Sequence, residues 1–223
     1  MRDLTVAFDL DGTLVETAPD LIAATNHVLA AVDLAPVAPE LIRPSISFGA
    51  AAMIKEGFRL HGREIAALEA AAHLERFLAY YRTNIAATSH AFPGLEASLD
   101  RLTAEGARLA VCTNKQAALS EQLLRDLRLR ARFAALAGRD TSPGCTPHPD
   151  HLIGAIRMAG GDPKRAIMVG DSKTDIDTAK AAGIPVVAVT FGYTDVHVRD
   201  LAPNAVIEHY DELIPAIERL IGR

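Results

Sequence analysis

Residues 6–13 read VAFDLDGT, an apolar run that ends in two acids one residue apart, Asp9 and Asp11. An apolar run of this length bounded by glycine predicts a buried strand. Unpaired charge is costly to bury, so two carboxylates at the end of such a strand need a partner. The end of this strand is therefore the first place to look for a site.

The first strand has counterparts further along the chain. The other apolar runs are ARLAVC at 107–112, AIMVG at 166–170, PVVAV at 185–189 and, more weakly, NAVIE at 204–208. Between them apolar residues recur at helical spacing, as at Leu95, Leu99 and Leu102. Continuous apolar strands that alternate with amphipathic helices predict an α/β fold: a parallel Rossmann-like sheet with helices on both faces.

The interval between residues 16 and 87 breaks this alternation. It holds no convincing strand, and alanine-rich helical patterns cover residues 21–32, 50–60 and 64–81. We therefore expect two domains: an α/β core of residues 1–15 and 88–223, and an all-helical cap of residues 16–87 inserted after the first strand.

Composition and charge narrow the class of protein. The chain of 223 residues is 49% hydrophobic, enough to bury a substantial core. Its net charge of −5, with no dense run of Lys or Arg, argues against a nucleic-acid or anionic-membrane partner. Cys112 and Cys145 lack the spacing of a zinc site or a disulfide framework. Because no apolar segment approaches the roughly 18 residues that span a bilayer, we expect a cytoplasmic protein. The alanine-rich cap could pack against a partner or against itself, so a homodimer and a monomer are both open.

Polar side chains follow three of the predicted strands. They are Asp9 and Asp11 after the first, Thr113 and Asn114 after the run at 107–112, and Asp171 and Asp175 after the run at 166–170. The carboxyl ends of parallel strands meet at one edge of a sheet, where ligands bind. Carboxylates gathered there repel one another unless a hard cation neutralises them, and an all-oxygen set suits Mg²⁺ rather than zinc.

These motifs also carry a family resemblance. The ordered series DLDGTLVET, FPG, TNK, PHPDHL, GDSKTDIDTAKAAG and FGY resembles the haloacid dehalogenase-like hydrolase superfamily and, within it, the phosphoglycolate phosphatase branch. The resemblance covers nearly the whole chain, including the position and size of the helical cap. It implies a Mg²⁺-dependent phosphomonoester hydrolase that works through an aspartyl-phosphate on a small phosphorylated metabolite, such as 2-phosphoglycolate.

The resemblance implies roles for the acids. Asp9 would be the nucleophile that attacks phosphorus, and Asp11 would protonate the leaving alkoxide and then deprotonate water. The side chains of Asp9 and Asp171, with the backbone carbonyl of Asp11, would hold Mg²⁺. Asp175 would support the site from outside, although capping a helix is an equally good reading of this residue.

The remaining candidates would bind substrate. In the resemblance Gly12 lets the backbone approach the phosphoryl oxygens, and Thr113 and Asn114 donate hydrogen bonds to them. On their own, Thr113 and Asn114 would also suit a helix N-cap. In the cap, Arg43 is a candidate for a substrate carboxylate, with an ordinary surface role as the alternative. His148 and His151 lie in a proline-rich stretch and are expected to be solvated.

One position departs from the family pattern. The family places a lysine directly before the proline of PHPDHL, next to the nucleophile and the phosphate, and this chain has Thr146 there. Thr146 retains a hydroxyl for a phosphate but no charge, and losing one preorganised donor typically costs about 10²–10³ in rate. Lys115, Lys173 or Arg139 could supply a cation, and Lys115 is the candidate supporting residue among them. For each of the three, an ordinary surface role is the favoured alternative.

Two other functions stay open beside a working phosphatase. Because of Thr146, the chain could be an attenuated homologue that binds Mg²⁺ and phosphate in a regulatory role. A sugar phosphomutase would use the same aspartyl-phosphate on the same scaffold. Dehalogenases and phosphonatases of the superfamily lack the second acid of the pair, so the presence of Asp11 argues against both.

Overall fold

The apolar run that opens the chain forms the first strand of the protein, in a computed structural model that describes residues 1–141 and 146–222. In chain order the strands are β1 (Thr5–Phe8), β2 (Val15–Glu16), β3 (His90–Ala91), β4 (Arg108–Cys112), β5 (Ala135–Ala137), β6 (Ala166–Gly170), β7 (Val186–Val189) and β8 (Ala205–Ile207). The helices are α1 (Ala18–Ala30), α2 (Pro39–Ile42), α3 (Ala50–Leu60), α4 (Ala67–Thr83), α5 (Leu95–Ala104), α6 (Ala117–Asp126), α7 (Pro149–Met158), α8 (Lys173–Ala182) and α9 (Leu213–Leu220).

The chain divides into two units. The α/β unit consists of Met1–Glu16 and Ala91–Arg223, and the helical unit consists of Thr17–His90. The cap predicted from the sequence, residues 16–87, begins one residue before this helical unit does and ends three residues before it does. None of the helices within the described ranges is long and apolar enough to cross a membrane.

A six-stranded parallel sheet of strand order β5-β4-β1-β6-β7-β8 forms the centre of the α/β unit. This confirms the predicted fold class. The sheet register aligns the ends of its three middle strands, because Phe8 of β1 lies opposite Val111 of β4 and Val169 of β6. The residues that follow these strands therefore emerge side by side at one edge.

Burial explains why the apolar runs form these strands. Every residue of β1, β6 and β7 is buried, as expected for parallel strands covered on both faces by helices. The leucines at helical spacing turn inward too: Leu95, Leu99 and Leu102 of α5 are fully buried. Strand β5 is absent from the sequence prediction, since its three residues are too short a run to stand out.

The helical unit packs around its first helix. Helix α1 contacts both α3 and α4, and Phe58, Phe77 and Tyr81 are among its largest fully buried side chains. The ring of His73 on α4 lies against that of Phe58, with 4.9 Å between centroids. Helices α1, α3 and α4 match the predicted helical patterns. The short α2 and the 3₁₀ helix Arg43–Phe48 were not predicted as helices.

A buried carboxylate ties the two ends of the helical unit together. Asp20, in the first turn of α1, is 3% exposed. It accepts hydrogen bonds from the backbone N–H and the hydroxyl of both Thr88 and Ser89, at 2.6–3.1 Å. Burial alone would raise the pKa of Asp20, but the hydrogen bonds from Ser89 and Thr88 outweigh it and lower the pKa below its ordinary value.

We expect Asp20→Ala to lower the free energy of unfolding by about 2–3 kcal/mol at neutral pH, because it removes charge-assisted bonds and leaves buried donors unpaired. Since the folded-state pKa is lowered, this stabilisation is present above the ordinary pKa of 3.8 and is lost as the pH falls through the folded value. The difference between wild type and variant in denaturant unfolding should therefore shrink in acid. Glu75→Ala, which removes an exposed acid from α4, is the control; equal effects of the two variants would contradict the prediction.

Candidate active site

The turn after β1 brings Asp9 to the edge of the sheet. The backbone N–H of Asp9 donates to the carbonyl of Val169 on β6 at 3.0 Å, which continues the sheet pairing past the end of the strand. Three residues later Gly12 adopts φ +83°, a backbone conformation that side chains disfavour, and a Cβ there would lie 2.6 Å from Oδ2 of Asp171. The turn therefore needs glycine both for its shape and for its approach to Asp171.

Three carboxylates meet at this edge. Asp9, Asp171 and Asp175, here called the carboxylate cluster, each offer an oxygen, and these oxygens lie within 4.8 Å of one another. Asp171 and Asp175 are buried, and Asp9 is half-buried. The structure thus brings together two of the predicted metal ligands, Asp9 and Asp171, and adds Asp175, which the sequence analysis placed outside the metal. The side chain of Asp11 is not part of the cluster.

Two residues that the sequence analysis gave no role hold the carboxylate of Asp171. The hydroxyl of Thr13 donates to Oδ1 at 3.1 Å, and the backbone N–H of Tyr193 donates to Oδ2 at 2.7 Å. A Cβ on Gly192 would lie 2.1 Å from Cβ of Asp171, so this loop packs directly against the acid. The motif FGY, at residues 191–193, was the signal for this contact.

Asp175 serves the start of α8 as well as the cluster. Its Oδ2 accepts from the backbone N–H of Ser172 at 3.1 Å and from the Ser172 hydroxyl at 2.7 Å. The backbone N–H of Asp175 donates back to the Ser172 hydroxyl oxygen, which completes a capping box. The two readings of Asp175 are therefore compatible, because a residue that caps the helix also places charge beside Asp9 and Asp171.

Burial and mutual repulsion dominate the electrostatics of the cluster. Burial raises the pKa of Asp9 well above its ordinary value, and the charges of Asp175, Asp171 and Asp11 raise it further. Burial also raises the pKa of Asp171 to about 7, with the charge of Asp175 adding to it and the hydrogen bonds from Tyr193 and Thr13 opposing it. Burial raises the pKa of Asp175 against the hydrogen bonds from Ser172. An oxygen-only set of acids under this repulsion fits a hard divalent cation such as Mg²⁺.

The predicted phosphate ligands lie on the loop after β4. Thr113 is buried, and its backbone N–H donates to the carbonyl of Ala137 at the end of β5. Neither Thr113 nor Asn114 caps α6, whose N-cap is Gln116 and whose first N–H donates to Asp140. The helix-cap reading of this pair is therefore wrong.

Asn114 connects this loop to Thr146. Its Nδ2 donates to the backbone carbonyl of Thr146 at 3.3 Å, while its Oδ1 is buried and has no hydrogen-bond partner within the described ranges. Thr146 is itself buried.

Cys145, the neighbour of Thr146, lies outside the described residues. Cys112 is buried, and that burial raises the pKa of its thiol well above the ordinary value.

The structure contradicts the expected surface role of Lys115. The side chain of Lys115 is only 6% exposed, and its Nζ lies 2.9 Å and 3.0 Å from the two carboxylate oxygens of Asp11. It is a buried partner of the Asp11 carboxylate rather than a surface cation. By contrast, Lys173 pairs with Asp177 on the exposed face of α8, and Arg139 is exposed.

A second correction concerns the histidines. His148 is exposed and accepts a hydrogen bond from the backbone N–H of Asp150 at the start of α7. His151 is fully buried, with Nε2 3.2 Å from the carbonyl of Gly138, and burial lowers its pKa. The expectation of a solvated ring is therefore wrong for His151.

Arg43 belongs to the helical unit, where it begins the 3₁₀ helix Arg43–Phe48.

Comparison with known proteins identifies the family of the chain. A family model described as haloacid dehalogenase-like hydrolase matches residues 6–189. The chain is 50% identical over 220 residues to a phosphoglycolate phosphatase of Mesorhizobium japonicum, an alignment that covers 97% of this chain and 96% of that protein.

Solved structures share the fold across nearly the whole chain. The crystal structure of a predicted phosphoglycolate phosphatase from Haemophilus somnus has a TM-score of 0.89 at 28% identity and covers 97% of this chain and 99% of its own. CbbY of Rhodobacter sphaeroides, crystallised in complex with phosphate, has a TM-score of 0.78 at 26% identity, with 96% of each chain covered.

The repulsion in the cluster predicts how the metal-free protein responds to pH. Because the folded-state pKa of Asp171 is raised from 3.8 to about 7, the native state binds protons more tightly and the free energy of unfolding falls as the pH rises between these values. A divalent cation competes with those protons, so Mg²⁺ should raise the melting temperature more at about pH 8 than at about pH 5.

Asp171→Asn should separate charge from packing in the same measurement. The amide oxygen can still accept from the N–H of Tyr193, and the amide nitrogen can donate to the hydroxyl oxygen of Thr13, while one charge is removed. We therefore expect a higher melting temperature than wild type in metal-free buffer at about pH 8 and little response to Mg²⁺. Asp177→Asn, on the exposed face of α8, should leave both quantities unchanged. An Asp171→Asn protein that is less stable without metal and still responds to Mg²⁺ would contradict the assignment.

Proposed function

The chain belongs to the haloacid dehalogenase-like hydrolase family and is a phosphatase, and we propose that it hydrolyses a small phosphomonoester through a covalent phosphoryl group on Asp9, with Mg²⁺ as cofactor. The observation that carries this proposal is the carboxylate cluster at the carboxyl edge of the parallel sheet, with Asp11 two residues beyond Asp9 on the same turn. That arrangement supports a nucleophile, an acid–base group and a cation site close together.

The residues of the cluster would hold the metal. Side-chain oxygens of Asp9 and Asp171 and the backbone carbonyl of Asp11 are the proposed ligands, and Asp175 supports them from α8. When bound, Mg²⁺ offsets the repulsion between these carboxylates and a phosphoryl group. The hydrogen bonds from Thr13 and Tyr193 hold the Asp171 carboxylate in place for this role.

The first step transfers the phosphoryl group to the protein. An ionised carboxylate oxygen of Asp9 attacks phosphorus, the ester P–O bond breaks, and the leaving alkoxide takes a proton from the carboxylic acid of Asp11. Thr113 and Asn114 are the proposed hydrogen-bond donors to the phosphoryl oxygens. Gly12 contributes the shape of the turn rather than a donor, because its N–H already donates to the carbonyl of Val15.

The second step returns the protein to its starting state. The carboxylate of Asp11 takes a proton from water as the water oxygen attacks phosphorus, and the bond between phosphorus and the Asp9 oxygen breaks. Inorganic phosphate leaves, Asp9 is again a carboxylate, and Asp11 again holds a proton. The product alcohol and phosphate therefore account for every atom of the ester and of one water molecule.

We propose 2-phosphoglycolate, or a metabolite of similar size and charge, as the substrate. The support is the 50% sequence identity to the phosphoglycolate phosphatase of Mesorhizobium japonicum over nearly the full length of both chains. The phosphate complex of CbbY supports a phosphate-binding role for this fold. Arg43 of the helical unit is the proposed partner of the substrate carboxylate, by the preference of guanidinium groups for carboxylates.

Phosphate release from 2-phosphoglycolate in the presence of Mg²⁺ tests the function. We expect turnover by the wild type, a fall in kcat of about 10²–10⁴ for Asp11→Asn through loss of proton transfer, and background release for Asp9→Asn. Asp177→Asn is the control for a change of surface charge and should match the wild type. Chelation of the metal should abolish release, and added Mg²⁺ should restore it.

Other results would favour other functions. If the wild type releases no phosphate from 2-phosphoglycolate or p-nitrophenyl phosphate but still binds vanadate, the chain is an attenuated binding homologue. If it converts a sugar phosphate into an isomer without free phosphate, it is a mutase.

A further inference from the structure

The contact between Lys115 and Asp11 is a buried ion pair that the two steps above do not use. Both oxygens of Asp11 lie within 3.0 Å of the ammonium nitrogen, and the side chains of Lys115 and Asp11 are 6% and 20% exposed. Removing an ammonium group from water is costly unless its partner is well placed. The fold therefore keeps a positive charge beside its proposed acid–base group, although burying the ammonium group costs desolvation free energy.

The backbone around Lys115 is fixed from several sides. Its N–H donates to the hydroxyl oxygen of Thr113 at 3.3 Å, and its carbonyl accepts from the N–H of Arg139 at 3.1 Å. A Cβ on Gly138 would lie 2.8 Å from that carbonyl, so the loop after β4 packs tightly against the end of β5. A cation on such a loop is preorganised, and preorganised charge is what stabilises a developing oxyanion.

Of the three basic residues that could replace the missing lysine at position 146, only Lys115 lies at the site. Lys173 is bound to Asp177 on the exposed face of α8, and Arg139 is exposed. Asn114 connects Lys115 with Thr146, because it precedes Lys115 in the chain and its side chain donates a hydrogen bond to the carbonyl of Thr146. Among these three basic residues, Lys115 is therefore the one beside a proposed catalytic acid.

We propose that Lys115 supplies the positive charge that faces the phosphoryl group, in the place of the lysine that the family has at position 146. Without substrate the ammonium binds the carboxylate of Asp11. With substrate bound, the ammonium donates a hydrogen bond to a phosphoryl oxygen and keeps its proton, and Asp11 takes up from solvent the proton that it donates in the first step. The inference rests on the proposed function for its substrate. Its immediate consequence is that Thr146 does not leave the site without a cation.

Lys115→Met keeps the length of the side chain and removes its charge. We expect kcat for 2-phosphoglycolate to fall about 10²–10³-fold. Calorimetry should show the affinity for inorganic phosphate, with Mg²⁺ present, falling about 10- to 100-fold. Lys173→Met is the matched control, since this lysine also follows a motif residue but is exposed, and it should leave both quantities unchanged. A purely structural ion pair would alter the melting temperature without changing phosphate affinity.

Thr146→Lys tests replacement directly. In the wild type the charge is already present, so we expect kcat to change by less than about tenfold; in the Lys115→Met background the same substitution should restore most of the lost rate. The single Thr146→Lys variant also decides the case if Lys115→Met fails to fold. A rise of about 10²-fold or more in the wild-type background would show that the site lacked a cation and would overturn the proposal.

The binding data separate this inference from the proposed function. If the wild type hydrolyses no ester but binds phosphate in a way that depends on Lys115, the phosphatase proposal fails and the role of Lys115 stands. If turnover is normal and Lys115→Met matches Lys173→Met in rate and phosphate affinity, the role of Lys115 fails alone. If phosphate affinity does not depend on Lys115 and there is no turnover, both fail.

Discussion

Confinement of like charges at the edge of a buried sheet is the constraint on which this α/β unit depends. Asp9, Asp171 and Asp175 bring their oxygens within 4.8 Å of one another in surroundings that raise the pKa of each. Neighbouring residues keep the acids close together. Gly12 and Gly192 leave room for Asp171, and the capping box holds Asp175 in place. A divalent cation would neutralise much of this negative charge, and the site could then bind a phosphoryl group.

The positive charge of Lys115 fits the same electrostatic account. Asp11 does not share the cluster and has its own cation, so the turn after β1 separates two acids into two environments. One acid faces a proposed metal and the other faces an ammonium group, which suits a nucleophile and an acid–base group that must behave differently. The family lysine at position 146 lies beside the nucleophile, whereas Lys115 lies beside Asp11 on another loop. Under the proposal above, the cation comes from that loop, and Thr146 is compatible with a phosphatase.

The sheet was predictable from the sequence because its strands are buried on both faces and read as continuous apolar runs, and because acids directly after such runs stand out. The features that were not predicted are either too short to give a sequence pattern or depend on contacts between residues far apart in the chain. Strand β5 has three residues and gives no run to recognise. The burial of Lys115 depends on a carboxylate 104 residues away, and that of His151 on a carbonyl of another loop, so neither is encoded in local sequence. The roles of Thr13 and Tyr193 depend likewise on where the chain brings Asp171.

Trapping the phosphoryl group on the protein tests the central claim most directly. In Asp11→Asn, p-nitrophenyl phosphate can still react, because its leaving group departs without a proton, while the water attack that needs Asp11 is slowed. We predict a burst of p-nitrophenolate equal to the protein concentration and, by mass spectrometry of the acid-quenched digest, one phosphoryl group on the peptide that contains Asp9. A burst with the phosphoryl group on another residue, or turnover by Asp9→Asn at the wild-type rate, would contradict the account.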